Sequence, residues 1–178
     1  MMLMNICVYG SGSNKISEKY LNEGYELGLK IASKNHTLIF GGGKNGMMGA
    51  TARGVSKNNG KTIGIAPNWI SNFEEIYDEC SEFIDVKTMD ERKNEFLNNS
   101  DAFIITPGGL GTLDEFFEII TLKKLERHEK PIIIFNIDGY FDKMIEMLDE
   151  MENQGFLYEN DNNLVKIANS ADEVFNFL

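Results

Sequence analysis

Three times in this chain a short apolar run breaks on a cluster of glycines and resumes as a helix-like stretch. The clusters are Gly10-Ser11-Gly12-Ser13, Gly41-Gly42-Gly43-Lys44-Asn45-Gly46-Met47-Met48-Gly49 and Thr106-Pro107-Gly108-Gly109-Leu110-Gly111-Thr112-Leu113-Asp114-Glu115. Ahead of them stand Leu3–Tyr9, Thr37–Phe40 and Ala102–Ile105, largely apolar runs of the kind that a strand buried on both faces requires. After the third cluster, Leu113, Phe116, Phe117, Ile120 and Leu125 recur at helical spacing. In a parallel sheet such turns all fall at the carboxyl ends of the strands, where ligands bind. Glycines let the backbone approach a ligand closely, and the free N–H groups of each helix start suit an anion. Together the turns suggest a cleft of phosphate or nucleotide size.

The rest of the chain keeps the alternation. Strand-like runs recur at Thr62–Ala66, Phe83–Val86 and Pro131–Asn136. Helical stretches fall near Ser17–Ser33, Gly46–Lys57, Met89–Asn98, Thr112–Arg127, Tyr140–Asn153 and Ala171–Leu178. This order predicts an α/β fold, a mostly parallel sheet with helices on both faces. No repeat, low-complexity tract or Pro/Ser-rich linker divides the 178 residues, so residues 1–178 are expected to form a single domain.

Charge and composition exclude several classes. Seventeen Lys and Arg against twenty-eight Asp and Glu leave a net charge of −11, the opposite of a nucleic-acid-binding field. Screening over about 8 Å still lets a local cluster of cations and helix starts hold a small anion. No apolar run approaches the roughly 20 residues that cross a bilayer, so no membrane partner is expected. The opening Met1–Tyr9 lacks a basic region and a cleavage site, and reads as a first strand and not a signal peptide. Cys7 and Cys80 are too few for a disulfide scaffold and suit a reducing cytoplasm. His36 and His128, the only histidines, sit in no metal or nucleophile–base pattern and read as surface residues. Neither Gly10-x-Gly12 nor Gly109-x-Gly111 completes a dinucleotide fingerprint, and Gly41–Gly49 lacks the G-K-[ST] of a P-loop.

Two sites carry candidate chemistry. In Thr88-Met89-Asp90-Glu91-Arg92-Lys93-Asn94-Glu95-Phe96, Thr88-x-x-Glu91 is a capping box. Met89, Arg92, Lys93 and Phe96 then share one helical face, whose apolar ends point inward. Two cations on such a face either pair with acidic neighbours or line a cleft and hold a phosphate or carboxylate. The other is Glu115, which Thr112-x-x-Glu115 makes either a capping residue or an acid or base beside the glycine turn.

Pro107-Gly108-Gly109-Leu110-Gly111-Thr112-Leu113-Asp114-Glu115 resembles the P-G-G-x-G-T-x-x-E signature of the Lonely Guy family, cytokinin riboside 5′-monophosphate phosphoribohydrolases long labelled lysine decarboxylases. Gly41–Gly49 is similar to that family's G-G-G-x-x-G-L-M-G loop, and Met89-Asp-Glu-Arg-Lys93 to its M-H-E-R-K, with Asp90 in place of histidine. Arg127-His-Glu-Lys-Pro131 and Asn136-Ile-Asp-Gly-Tyr-Phe-Asp142 extend the likeness; the stretch after Pro67 does not align clearly. The resemblance implies a Rossmann-like nucleotide-binding fold and a homodimer that needs no cofactor. It implies hydrolysis of the N-glycosidic bond of a nucleoside 5′-monophosphate, a cytokinin ribotide or AMP, to free base and ribose 5-phosphate. It makes Arg92 and Glu115 the catalytic pair. Substrate contacts would come from Ser13, Gly42, Gly43, Met47, Lys93, Gly108, Gly109, Gly111, Thr112 and Thr121. The alternative is a non-enzymatic nucleotide or molybdenum-cofactor carrier of the same superfamily, which needs the cradle but not the pair. For a pyridoxal-dependent lysine decarboxylase, no lysine stands out as the Schiff-base residue.

Overall fold

The computed structural model describes residues 2–158 and 161–178; Met1, the first residue of the opening run, lies outside the described residues. Seven parallel strands form one sheet: β1 (Asn5–Tyr9), β2 (Thr37–Phe40), β3 (Thr62–Pro67), β4 (Glu82–Val86), β5 (Ala102–Ile105), β6 (Ile132–Phe135) and β7 (Lys166–Ala168), in the order β4-β3-β2-β1-β5-β6-β7. Among the described residues six α-helices accompany them: α1 (Glu18–Ser33), α2 (Gly46–Lys57), α3 (Met89–Asn99), α4 (Leu110–Lys124), α5 (Asp142–Asn153) and α6 (Ala171–Asn176). This is the α/β architecture with a parallel sheet expected from the alternation, and it is Rossmann-like as the resemblance implies.

Strand composition explains the layers. Residues of β1 alternate between two cores: Ile6 and Val8 join α1, α2 and α6, whereas Cys7 and Tyr9 join α3, α4 and α5. With both faces covered, the apolar runs have no exposed side to signal with polar residues. On the first face, α1 and α2 cross in close contact. A Cβ at Gly28 would strike the Thr51 carbonyl, and one at Gly54 the Tyr25 carbonyl, so both helices place glycine at the crossing.

Three expectations need correction. His36 is 4% exposed and not a surface residue: its Nδ1 accepts the Met4 N–H at 3.2 Å and its ring stacks on Phe175 of α6. His128 is half-buried; its Nδ1 accepts from Lys130 N, leaving Nε2 to donate to the Ile119 carbonyl at 2.8 Å. Main-chain groups bond to both rings, and burial lowers the pKa of each. Strand β7 was not foreseen. Three residues, two of them exposed, at a sheet edge give no apolar run to detect.

Candidate active site

Strand order reverses between β1 and β5: from β1 the chain builds outward to β4, then returns to add β5 on the other side. The crevice at such a switch point is where open α/β sheets bind ligands. Here the glycine turns meet. Ser11 N donates to Pro107 O at 3.1 Å, and Met48 N donates to Ser11 O at 3.2 Å. The first turn is thereby stitched to both others.

The turn after β5 presents bare backbone. Helix α4 begins at Leu110, with Gly109 as its N-cap and no side chain capping it. The Thr112–Glu115 capping box therefore does not form. The chain turns helical three residues earlier than the box requires, leaving Thr112 buried inside the first turn. The N–H groups of Leu110, Gly111 and Thr112 are the ones an α-helix leaves without intrahelical partners. A Cβ at Gly109 or Gly111 would meet nothing within 4 Å, so both border open space, while Gly108 packs against Thr112 and Ser11. Tyr140 pins this turn from outside, its hydroxyl donating to Gly108 O at 2.7 Å. The Asn136–Asp142 segment supplies that tyrosine. Asn136 accepts the Phe141 N–H and donates to Asp142, and Asp138 and Gly139 take positive φ to fold the loop.

Arg92 rises from the first turn of α3, which begins as foreseen: Thr88 Oγ1 accepts the Glu91 N–H at 3.1 Å. The Glu91 carboxylate reaches back one residue further than the box predicts, to Lys87 N. Arg92 is 5% exposed. Its Nε donates to Ile65 O at 2.9 Å and its Nη2 to Gly41 O at 2.8 Å, two carbonyls near the ends of β3 and β2. The third nitrogen, Nη1, faces the Met89 sulfur at 3.9 Å. No carboxylate closes an ion pair with it among the described residues, so the guanidinium is a buried cation held by neutral acceptors. Such a group needs an anion nearby to offset its desolvation.

Glu115 lies on the same face, one turn into α4 and only partly exposed. Burial drives its carboxyl from the ordinary 4.5 to about 7, against the opposing pull of Arg92; Asp114 and Glu74 push the same way as burial. A carboxyl poised near neutrality can act as a general base or acid.

Lys93 does not point to a free anion. Its ammonium pairs with Glu118 at 2.6 Å and Asp114 at 3.3 Å, bracing α3 to α4, and the Glu118 hydrogen bond raises its pKa. Asp90 is exposed in the first turn of α3, where its charge suits the helix dipole. Ser13 is exposed at the first turn, its hydroxyl accepting from Lys15 N. Gly42 and Gly43 are buried, Gly42 against the Phe83 ring. Met47 is fully buried in the core beside α1, whereas the neighbouring Met48 sends its methyl toward Gly12 and Gly43. Thr121 stands apart. It is about 9 Å along α4 from Glu115, it donates to its own helix at Phe117 O, and it lines a separate apolar cavity of about 260 Å³ with Ile120, Ile145 and Leu157.

The structure adds Glu74, which sequence reasoning missed. The segment after β3 folds back over the second glycine turn: Lys44 N donates to Glu75 O, Tyr77 N to Gly42 O, and Gly43 pairs with Ile76. This brings Glu74 to the cleft beside Gly12 and Gly43, with Oε2 buried and lacking a hydrogen-bond partner among the described residues. Glu74 lies in an irregular segment with no periodicity, so no pattern could have marked it.

The family profile described as "possible lysine decarboxylase" matches residues 48–178. A cytokinin riboside 5′-monophosphate phosphoribohydrolase of Arabidopsis thaliana is 35% identical over 171 residues, 95% of this chain and 79% of that one. A probable enzyme of the same name from Oryza sativa subsp. japonica is 33% identical over 169 residues, 95% of this chain and 69% of that one. Among solved structures, the molybdenum cofactor binding protein of the phototrophic bacterium Rippkaea orientalis matches with TM-score 0.75 and 26% identity, over 99% of this chain and 95% of that one. A molybdenum cofactor carrier protein from Chlamydomonas reinhardtii shares the fold, with TM-score 0.74 and 23% identity over 98% and 94%.

Proposed function

The chain belongs to the family labelled "possible lysine decarboxylase", together with the cytokinin riboside 5′-monophosphate phosphoribohydrolases, and from that premise we propose that it hydrolyses the N-glycosidic bond of a nucleoside 5′-monophosphate. The observation that carries this reading is the pairing of Arg92 and Glu115. A buried guanidinium held by neutral acceptors lies within electrostatic reach of a carboxyl held near neutrality, on the helix whose opening N–H groups are bare.

The 5′-phosphate sits at Gly108, Gly109, Gly111 and Thr112, where helix dipole and free N–H groups favour negative charge. Glu74 accepts hydrogen bonds from sugar hydroxyls, which would satisfy its buried oxygen. Ionised Glu115 takes a proton from the attacking water as its oxygen bonds to C1′. The C1′–N bond breaks with its electron pair going to the base, which as it leaves takes up the proton that Glu115 removed from the water. Positive charge developing on the sugar is stabilised by the same carboxylate, and Arg92 orients substrate and carboxylate. Ser13, Gly42 and Gly43 shape the cleft through their backbone, Met47 supports it from the core, and Lys93 holds the α3 and α4 walls together. The exposed apolar side chains Leu110, Phe117 and Leu125 on α4 favour a homodimer, whose assembly would carry Thr121 to a site. Residues 1–178 are proposed to act as a single nucleotide-binding domain without cofactor, and the two free cysteines suit a cytoplasmic setting.

The test is release of ribose 5-phosphate from a panel of monophosphates that includes AMP and prenylated adenine ribotides. Glu115→Gln is expected to lower turnover at least about 100-fold while the protein stays folded. No product from any monophosphate, with tight pterin-cofactor binding, would favour the carrier alternative.

A further inference from the structure

We propose that Trp69 and Phe73 form an aromatic platform on which the substrate's base stacks, making them the residues that select for a nucleoside over a bare sugar phosphate. The inference rests on reading the cleft as a nucleoside monophosphate site.

Immediately past β3 the chain makes a short 3-10 turn, Asn68–Asn72, at the carboxyl edge of the sheet. Phe73 N and Glu74 N both donate to Ile70 O, and this closed turn separates two neighbouring side chains. Glu74 goes inward, its Oε2 buried in the cleft. Phe73 stays out, 78% exposed. Trp69, 40% exposed, meets Phe73 edge-on, with ring centroids 6.3 Å apart and planes at 90°. The indole is not loose: its Nε1 donates at 3.1 Å to Lys87 O, just ahead of the helix that carries Arg92. The aromatic pair thus adjoins Glu74 along the chain and is bonded to the segment that leads into α3.

Position along the edge assigns the occupant. The phosphate turn follows β5, the Arg92 anchors lie at β2 and β3, and the aromatic turn follows β3. From β5 to β3 is three strand spacings, about 14 Å. That span is within reach of an extended nucleotide with its phosphate at Gly109, its sugar beneath Glu74 and its base at Trp69. A ring left in water beside a polar cleft suits a flat, π-faced ligand, and base–aromatic stacking is tolerant of base identity.

Trp69 is the only tryptophan, so it reports its own contact. Purified protein is titrated with AMP, GMP, CMP and UMP, and separately with ribose 5-phosphate, following tryptophan emission in rapid mixing and heat in calorimetry. Monophosphates should quench Trp69, whereas ribose 5-phosphate should bind without quenching. Phe73→Ala should weaken the best-bound monophosphate about ten-fold and leave ribose 5-phosphate unchanged; Phe73→Tyr should restore affinity and Phe73→Leu should not. The platform is overturned by equal loss for nucleotide and sugar phosphate, by no loss in Phe73→Ala, or by the absence of quenching with every monophosphate. Failure of the hydrolase reading looks different: quenching by nucleotides with no ribose 5-phosphate released.

Discussion

Arg92 and Gly41 are matched to each other: Nη2 of the arginine donates to the Gly41 carbonyl at 2.8 Å, and a Cβ on that glycine would collide with the same nitrogen. The guanidinium occupies the space a side chain at position 41 would need. Glycine is therefore required there for the arginine's sake and not for a turn, since its φ is not positive.

Gly41→Ala is expected to displace Arg92 and lower kcat/KM by at least about ten-fold, a loss of about 1.4 kcal/mol of transition-state stabilisation. Steady-state kinetics on the best monophosphate substrate measure it, with circular dichroism to verify the fold. Unchanged kcat/KM would mean that Arg92 tolerates another seat.

Glu115 gives a pH dependence with a definite sign. If its ionised form takes the proton from water, kcat/KM rises with pH and levels off above about 7. Stability runs the other way. Below the ordinary value of 4.5 the carboxyl is protonated whether the chain is folded or not. Between there and about 7 the native state keeps a proton that the unfolded state releases, and this advantage is lost as pH rises through about 7. Denaturant melts should find Glu115→Gln more stable than wild type by on the order of 2 kcal/mol at pH 8, with the difference closing near pH 4.5. A pH-independent difference would contradict the raised pKa.

Tyr140 holds the turn after β5 through Gly108, which the proposed function assigns to the 5′-phosphate. Tyr140→Phe should raise KM for monophosphates about three- to ten-fold, consistent with one hydrogen bond of about 1 kcal/mol, and alter kcat little. A kcat effect with constant KM would place the hydroxyl in the chemistry.

Lys93→Met removes the cation shared by Asp114 and Glu118, leaving two carboxylates one helical turn apart. The variant should lose about 1 kcal/mol of stability in low salt, and the loss should shrink as ionic strength rises. Thermal melts at two salt concentrations decide it.

The strands and the three glycine turns could be read from sequence because a sheet covered on both faces demands unbroken apolar runs, and parallel connections demand a turn at each carboxyl end. Arg92 could be found because two cations on an otherwise apolar helical face are costly. What escaped were groups whose partners lie far along the chain. His36 looked like a surface residue because its satisfying N–H, at Met4, is 32 residues away. Glu74 became a cleft residue only when the segment after β3 folded over Gly43. The capping role considered for Glu115 failed because the helix starts at Leu110, and helix boundaries depend on the preceding turn as much as on local residue preference.

The switch point between β1 and β5 also orders the folding of this protein. Asn5 and Asp101, bonded across that junction, are 96 residues apart, so the contact requires one of the longest loop closures in the chain. Ser11, Pro107 and Met48 meet only after it closes. A growing chain that has made β1 to β4 holds Arg92's anchors but lacks the turn after β5. A ligand held by both would bind the completed fold alone, and its affinity would add to the stability of the whole sheet.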